Sequence, residues 1–391
     1  MTNTVILGYA RTPMGSLLGS LSSQSASDLG AVAIRAAIER SGVALNQVDR
    51  VLMGSVLLGG QGQAPARQAA LKAGLSQDVP STTISKVCGS GMEALILAHA
   101  AIGAGLAQVA VAGGMESMSN APYLLPKERG GARLGHGTVV DSMFFDGLED
   151  RYGENGRLMG SFGDAMAAEY GFSRGDQDAF AIESLRRARA AQDCGAFAAE
   201  IAPVSIKGKA EVVVAADEQP GKSDPSRIPS LRPAFAGDGT VTAANASSIS
   251  DGAAALVLAD AAWAEAQGFH PRARIVCVTG HAGLPARFPC APVPAMRNLL
   301  DRLGWSADDV DLWEVNEAFA MVAMIAMHDM SIPHDKLNVN GGACALGHPI
   351  GASGARIVAT LIAAMEARGL RRGVASLCIG GGEATAIAIE R

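Results

Sequence analysis

Along this chain, short runs of aliphatic and β-branched residues alternate with longer stretches whose apolar positions recur every three or four residues. Residues 4–10 read as a strand, and residues 26–40 as a helix with Ser25 or Ser27 as N-cap and Gly42 as its stop. A strand over 48–54 and a helix over 64–73 follow. The run Thr82-Thr83-Ile84 then leads through a tight turn at Cys88 into a small-residue helix and a strand ending at Gly113-Gly114-Met115-Glu116. Residues 94–115 carry no charge, a length that could span a membrane. Gly103 and Gly105 interrupt it, so a buried helix followed by a central strand is predicted instead, with no membrane span. Strands alternating with helices imply an α/β fold.

From about residue 118 to 247 the pattern loosens, and Gly, Pro, Arg and Asp become dense. One helix stands out, where Ser173 and Asp176 form a capping box and Ala179, Ile182, Leu185 and Ala188 share a face. Residues 219–233 hold four prolines and read as extended loop. This region is predicted to be an inserted loop domain (118–247). It interrupts an N-terminal half (1–117, completed by 248–270) and precedes a C-terminal half (271–391). The second half echoes the first: Val48-Asp49 recurs as Val310-Asp311, Ser90-Gly91 as Ser353-Gly354, and the strand into Gly113-Gly114 as the strand into Gly380-Gly381-Gly382. Landmarks repeated in one order predict a duplicated α/β unit whose equivalent turns surround a common cleft.

Composition narrows the function. With 49% hydrophobic and 18% charged residues the chain is globular, and with 47 glycines against 4% aromatics its core depends on close backbone packing. A net charge of −6 with no basic run argues against nucleic acid or an anionic membrane as partner. The six cysteines have no metal-type spacing, so neither metal nor disulfide framework is expected. The first residues lack a basic leader, so no signal peptide is expected and a cytoplasmic location is.

Cys88 sits between a strand and a helix start, where unpaired N–H groups and the helix dipole favour thiolate. A buried packing cysteine is the alternative. His348 is the histidine set between glycines (Gly347-His348-Pro349-Ile350-Gly351) before a helix, and a neutral imidazole in reach of a thiol is the usual way to make a nucleophile. Cys378 precedes three glycines whose bare N–H groups suit an oxyanion hole, although a small buried hydrophobe reads as well there. Cys344 reads as packing. Asn316 is either an N-cap or an amide holding water against a carbonyl oxygen. Glu317 either orients that site or His348, or is a solvated carboxylate.

Together, Val-Cys-Gly-Ser-Gly-Met at 87–92, Gly-Gly-Met-Glu-Ser-Met at 113–118, Asn-Glu-Ala-Phe at 316–319, Gly-His-Pro at 347–349 and Cys-Ile-Gly-Gly-Gly at 378–382 resemble the thiolase family, and within it the short-chain acetyl-CoA acetyltransferase branch. The resemblance runs from the first strand to Arg391. It implies two βαβαβαββ halves in a layered αβαβα core, and reversible Claisen condensation of two acetyl-CoA to acetoacetyl-CoA and CoA. By the same resemblance Cys88 is the acyl carrier, His348 its base and Cys378 the acid/base at the α-carbon. One oxyanion hole is His348 with a water on Asn316; the other is the N–H groups of Cys88 and Gly380. Leu148, Met159, Ala243, Ser247, Ala318 and Phe319 are implied to hold CoA, with the thioesters as substrates and no cofactor. A homotetramer is implied, with the strand before residues 113–118 pairing across a dimer and residues 122–140 tying dimers together. Two departures stand out: Leu158 occupies a position where the short-chain pattern has His, and Phe288-Pro289 replaces Met-Gly at the acyl pocket. Remaining alternatives are a thiolase of different or branched acyl preference, a decarboxylating ketoacyl synthase, and a non-catalytic acyl-CoA or lipid-binding relative.

Overall fold

Nine strands of the computed structural model, which describes residues 4–153, 156–208 and 210–391, carry the architecture. They are β1 (Thr4–Arg11), β2 (Arg50–Gly54), β3 (Ser81–Ile84), β4 (Val109–Ser117), β5 (Ser250–Asp260), β6 (Ala273–Ala282), β7 (Leu312–Val315), β8 (Arg372–Ile379) and β9 (Glu383–Glu390). Their order is β7-β8-β9-β6-β1-β5-β4-β2-β3, with the two-residue strand Gly15–Ser16 added on β5.

The order reads the same outward from the middle. On one side β3, β2 and β4 are parallel and β5 and β1 antiparallel. On the other, β7 and β8 are parallel, β9 and β6 antiparallel, and Leu337 bridges Trp313 in parallel where a counterpart of β3 belongs. The halves join through β1 and β6, at Val5 opposite Arg274 and Ile6 opposite Ala273. This is the duplication that the repeated landmarks predict.

Both faces of these strands are apolar, and the alternation along a strand sorts its residues into layers. In β4, Val109 and Val111 pack outward with α1 (Ala26–Ser41) and α2 (Pro65–Lys72), while Ala110 and Ala112 pack inward with α3 (Ser90–Gly103). Val374 and Ala386 of the other half pack outward with α6 (Pro292–Leu303) and α7 (Ala320–Met330), and Leu377 and Ile387 pack inward against α8 (Ser353–Arg368). Helices α3 and α8 therefore lie between the two halves of the sheet, which gives the αβαβα layering. No helix among the described residues is long and apolar enough to cross a membrane, and the uncharged stretch divides into α3 and β4 as expected.

Local capping follows the sequence. Ser25, not Ser27, caps α1 in a reciprocal box with Asp28, and Gly42 closes the helix at φ 74°.

Between β4 and β5 the described residues add no strand to the large sheet; their short strands pair among themselves. This stretch holds two long helices, α4 (Met159–Tyr170) and α5 (Arg174–Asp193), where the sequence pattern predicted one. The proline-rich 219–233 segment is not extended either. It makes short helical turns at Glu218–Lys222 and Pro225–Ser230, since proline fits a first turn and the Asp224 side chain caps the second by accepting from Ser226 N. A buried charge cluster fastens the segment to β1: Arg11 donates to Glu200 at 2.6 Å and to both oxygens of Asp217 at 2.6 and 2.8 Å. One expectation about assembly is corrected. Strand β4 is flanked by β5 along its length and by β2 up to Gly114, so it has no open side for a dimer partner there. The free edge at that end of the sheet is β3.

Candidate active site

Cys88 lies on the turn between β3 and α3. Val87 sits at φ 45°, an outlier for a β-branched residue and the kind of strain that persists where surrounding bonds over-determine it. Those bonds come from Ser90, whose hydroxyl accepts from Lys86 N at 2.8 Å and donates to Val87 O at 2.7 Å. The start of α3 meets the start of α8 so closely that a Cβ on Gly91 would stand 2.9 Å from Gly351 O and 3.0 Å from Ala355 N. Contact of two backbones brings the Cys88 turn of one half beside the His348 loop of the other.

A cavity of about 450 Å³ opens at this junction. Cys88, His348, Cys378, Gly380, Leu148, Met159, Ala243, Ser247, Phe288, Ala318 and Phe319 all line it, as does Leu158. Of the candidate site residues, Asn316 and Glu317 are not on its wall. Pairing of Ala246 with Phe319 and the bond from Ser247 N to Ala318 O (3.0 Å) join the inserted segment to the start of α7. Met159 begins α4, with Leu158 as its N-cap. Phe288 is buried, edge-on to Phe162 at 6.3 Å and tilted against Phe319 at 6.4 Å, so its ring is held from two sides.

His348 Nδ1 lies 2.6 Å from the Ser353 hydroxyl, which is also 2.9 Å from Pro349 O. With the Ser353 proton on Pro349 O, Nδ1 carries the ring proton and Nε2 keeps its lone pair. Nε2 has no partner, and burial pushes the imidazole down to about 3, so it is neutral. Asn316 is buried too: its carbonyl oxygen accepts from Arg356 at 3.4 Å, which leaves the amide nitrogen unpartnered. An imidazole lone pair and an amide N–H, both buried and unused, are groups waiting for a ligand or water.

Burial pushes the Cys88 thiol up to about 11, against the backbone N–H groups of Gly380 and of Cys88 itself, which favour the thiolate. The helix start favours the thiolate as expected, but desolvation is the larger effect, and thiol and imidazole rest neutral. Cys378 is the last residue but one of β8, opposite Ala384, and burial together with the nearby Cys88 raises its thiol well above the ordinary range. Alkylation of the resting protein by iodoacetamide at Cys88, followed by mass spectrometry, should therefore speed up continuously from pH 7 to pH 10, because each step frees more thiolate. A rate that levels off below pH 7 would mean a thiolate–imidazolium pair instead.

Glu317 does not reach His348. It is buried, accepting from Ser184 (2.8 Å), Asn338 (2.8 Å) and Cys344 N (3.1 Å), so it braces the loop that carries Cys344. Two residues of the site were not singled out from sequence for what they do here. Ser353 appeared only as a helix-start landmark, and its place one turn and a half beyond His348 was the available signal. Glu116 accepts from Val56 N (3.0 Å), Leu57 N (3.2 Å) and Gly351 N (2.9 Å), tying β4 to the histidine loop. Burial raises it to about 7. Its signal was a lone carboxylate closing a long uncharged stretch.

A second cleft of about 300 Å³ adjoins the cavity, sharing Gln219, Ala243 and Ser248 and adding Lys222 and Arg227. Among the described residues no group of His, Cys, Asp and Glu is arranged to hold a metal ion.

Residues 4–262 match the family described as "Thiolase, N-terminal domain", and residues 269–391 match "Thiolase, C-terminal domain". The chain belongs to the thiolase family. Curated relatives of this thiolase include the acetyl-CoA acetyltransferases of Escherichia coli strain K12, 50% identical, and Cupriavidus necator, 48% identical, each aligned over 100% of both chains. Acetyl-CoA acetyltransferase 1 of Arabidopsis thaliana is 48% identical over 98% of this thiolase and 93% of its own length.

Proposed function

We propose that this thiolase is an acetyl-CoA C-acetyltransferase that joins two acetyl-CoA into acetoacetyl-CoA and CoA, and cleaves the product in reverse. The observation that carries the reading is the convergence of Cys88, Cys378 and the unpartnered His348 Nε2 on one apolar-walled cavity. Full-length relatives bearing that activity in their names support it.

In this reading the Cys88 sulfur attacks the thioester carbonyl while its proton passes to His348 Nε2. The charge that develops on oxygen is met by His348 and by a water on the free amide of Asn316. The C–S bond to CoA breaks, CoA departs with a proton, and the acetyl group stays on Cys88. CoA having left with the Cys378 proton, a second acetyl-CoA loses an α-proton to the Cys378 thiolate, and its carbanion attacks the acetyl carbon with the N–H groups of Cys88 and Gly380 on the oxygen. The acetyl C–S bond to Cys88 then breaks, acetoacetyl-CoA leaves and the Cys88 sulfur takes its proton back from His348. In the cleavage direction Cys378 gives its proton to the departing enolate, a step favoured by a thiol that burial keeps protonated. A decarboxylating synthase is not favoured, because a cysteine on a glycine turn stands opposite the nucleophile. A non-catalytic relative would be expected to lack at least one of Cys88, His348 and Cys378.

Pantetheine would run past Leu148, Met159, Ala243, Ser247, Ala318 and Phe319. The nucleotide end of CoA would reach the adjoining cleft, where Lys222 and Arg227 supply positive charge. No cofactor is required by these steps. A cytoplasmic location fits six free cysteines. We further propose a homotetramer built from dimers, with the Pro/Gly-rich part of the insertion near residues 122–140 between dimers.

Phe288 favours a refinement of acyl preference. A flat ring held from two sides, beside a proline that fixes φ, shifts the pocket wall near the α-carbon. Cleavage of 2-methylacetoacetyl-CoA is expected to be comparable to that of acetoacetyl-CoA, and 3-ketohexadecanoyl-CoA to be a poor substrate. The check is kcat/KM for the three thioesters, where one methylene shifts discrimination by about 1–3 kcal/mol. Good cleavage of the long chain beside failure of the methyl ester would refute the refinement, and failure of acetoacetyl-CoA itself would refute the assigned activity.

A further inference from the structure

The all-glycine turn Gly380-Gly381-Gly382 has no side chains with which to hold itself, and Gly381 and Gly382 lie at φ 98° and 87°. The direction of the Gly380 N–H, which points at the Cys88 sulfur, is therefore set by what grips the turn from outside. Gly283 N donates to Gly382 O at 2.9 Å, Tyr152 lies against Gly381 and Met159 over Gly380, and three further contacts come from the Cys88 turn. Gly89 packs on Ile379 so tightly that a Cβ there would stand 2.3 Å from Ile379 Cδ1, and Val87 lies over Gly380. The third is an ion pair: Lys86 Nζ donates to Glu383, the first residue of β9 and the strand partner of Ile379.

We propose that Lys86 and Glu383 are a positioning pair, which holds the turn of one half against the turn of the other so that the Gly380 N–H stays aimed at the atoms bound to Cys88. Resting as it does on Cys88 being the acyl carrier, the role touches neither substrate nor reacting atoms. The side chains are 29% and 40% exposed, so the pair adds little to stability, as is usual for exposed ion pairs. What it supplies is register across the junction of the halves. An oxyanion donor is useful only when placed to a fraction of an ångström, whereas a pair that merely decorated the surface would leave turnover untouched.

The test compares Lys86→Met, Glu383→Gln and the charge-reversed double variant Lys86→Glu with Glu383→Lys. Each single variant is expected to lower kcat for acetoacetyl-CoA cleavage by about ten- to a hundredfold, a cost typical of a misplaced catalytic group, with KM for CoA unchanged. The reversed pair, restoring the contact with opposite signs, should recover most of the loss. Single variants with wild-type kcat, or a reversed pair as slow as the singles, would overturn the inference. Acetylation of the wild-type protein, followed by peptide mapping, separates the two levels. If Cys88 takes no acetyl group, the assigned mechanism fails and the inference falls with it. If Cys88 is acetylated and the single variants turn over normally, the positioning role alone is wrong.

Discussion

Cys88→Ala should carry no acetyl group after incubation with acetyl-CoA, and its turnover should fall to background in both directions. The cysteine lines an open cavity, so its loss leaves the packing around it largely in place. What disappears is the covalent step. Loss of a nucleophile that acts as a unit with its base costs on the order of 10⁶-fold in kcat, and that is the fall expected here. Intact-mass measurement gives the reading directly: one added acetyl on the wild type, mapping to Cys88, and none on the variant. An acetyl group found on another cysteine while Cys88 stays free would end the proposed mechanism.

Cys378→Ala should behave differently, because its proposed work comes at the carbon acid. The variant is expected to accept acetyl at Cys88 at close to the wild-type rate and then to stall. General acid–base steps contribute about 10² to 10⁴-fold, so condensation and cleavage should both slow by that amount. Cys378 is buried on β8 with Ala384 of β9 as its strand partner, so Cys378→Ser serves as the companion variant that keeps the volume. Its weaker acidity should leave it slow as well. Condensation by the alanine variant at near the wild-type rate would remove Cys378 from the mechanism.

The elements that the sequence made legible are those whose pattern is local. Strand β4 and helix α3 announce themselves by a run without charge, α1 by its capping box and glycine stop, and the duplication by landmarks in fixed order. Cys88, His348 and Cys378 were visible because each sits among glycines beside a strand end or helix start, a context that packing alone does not demand. Helix α4 was missed because its glycines and polar face blur a helical period, and the turns near Pro225 because proline reads as a breaker unless it begins a helix. Partners far apart in the chain could not be read at all. Nothing local says that Glu317 answers Ser184 and Asn338 rather than His348, or that Glu116 gathers N–H groups from Val56, Leu57 and Gly351. The resting charge of Cys88 escaped for a related reason. A helix start argues for the thiolate, and only the enclosing walls show that desolvation prevails.

Helix α8 is buried at every residue from Ser353 to Met365, and α3 crosses it at the floor of the cavity. A segment with no solvent-facing side cannot fray by itself, because exposing it means parting the two halves of the sheet. The serine that meets His348 Nδ1 stands at the start of that helix, and Cys88 stands just before the other. Amide protons there should exchange with solvent only when the whole molecule opens, so the chemical centre belongs to the last part to melt. The wall of the cavity built by the inserted segment is fastened instead to the start of α7, so movement there would leave the reacting groups in place.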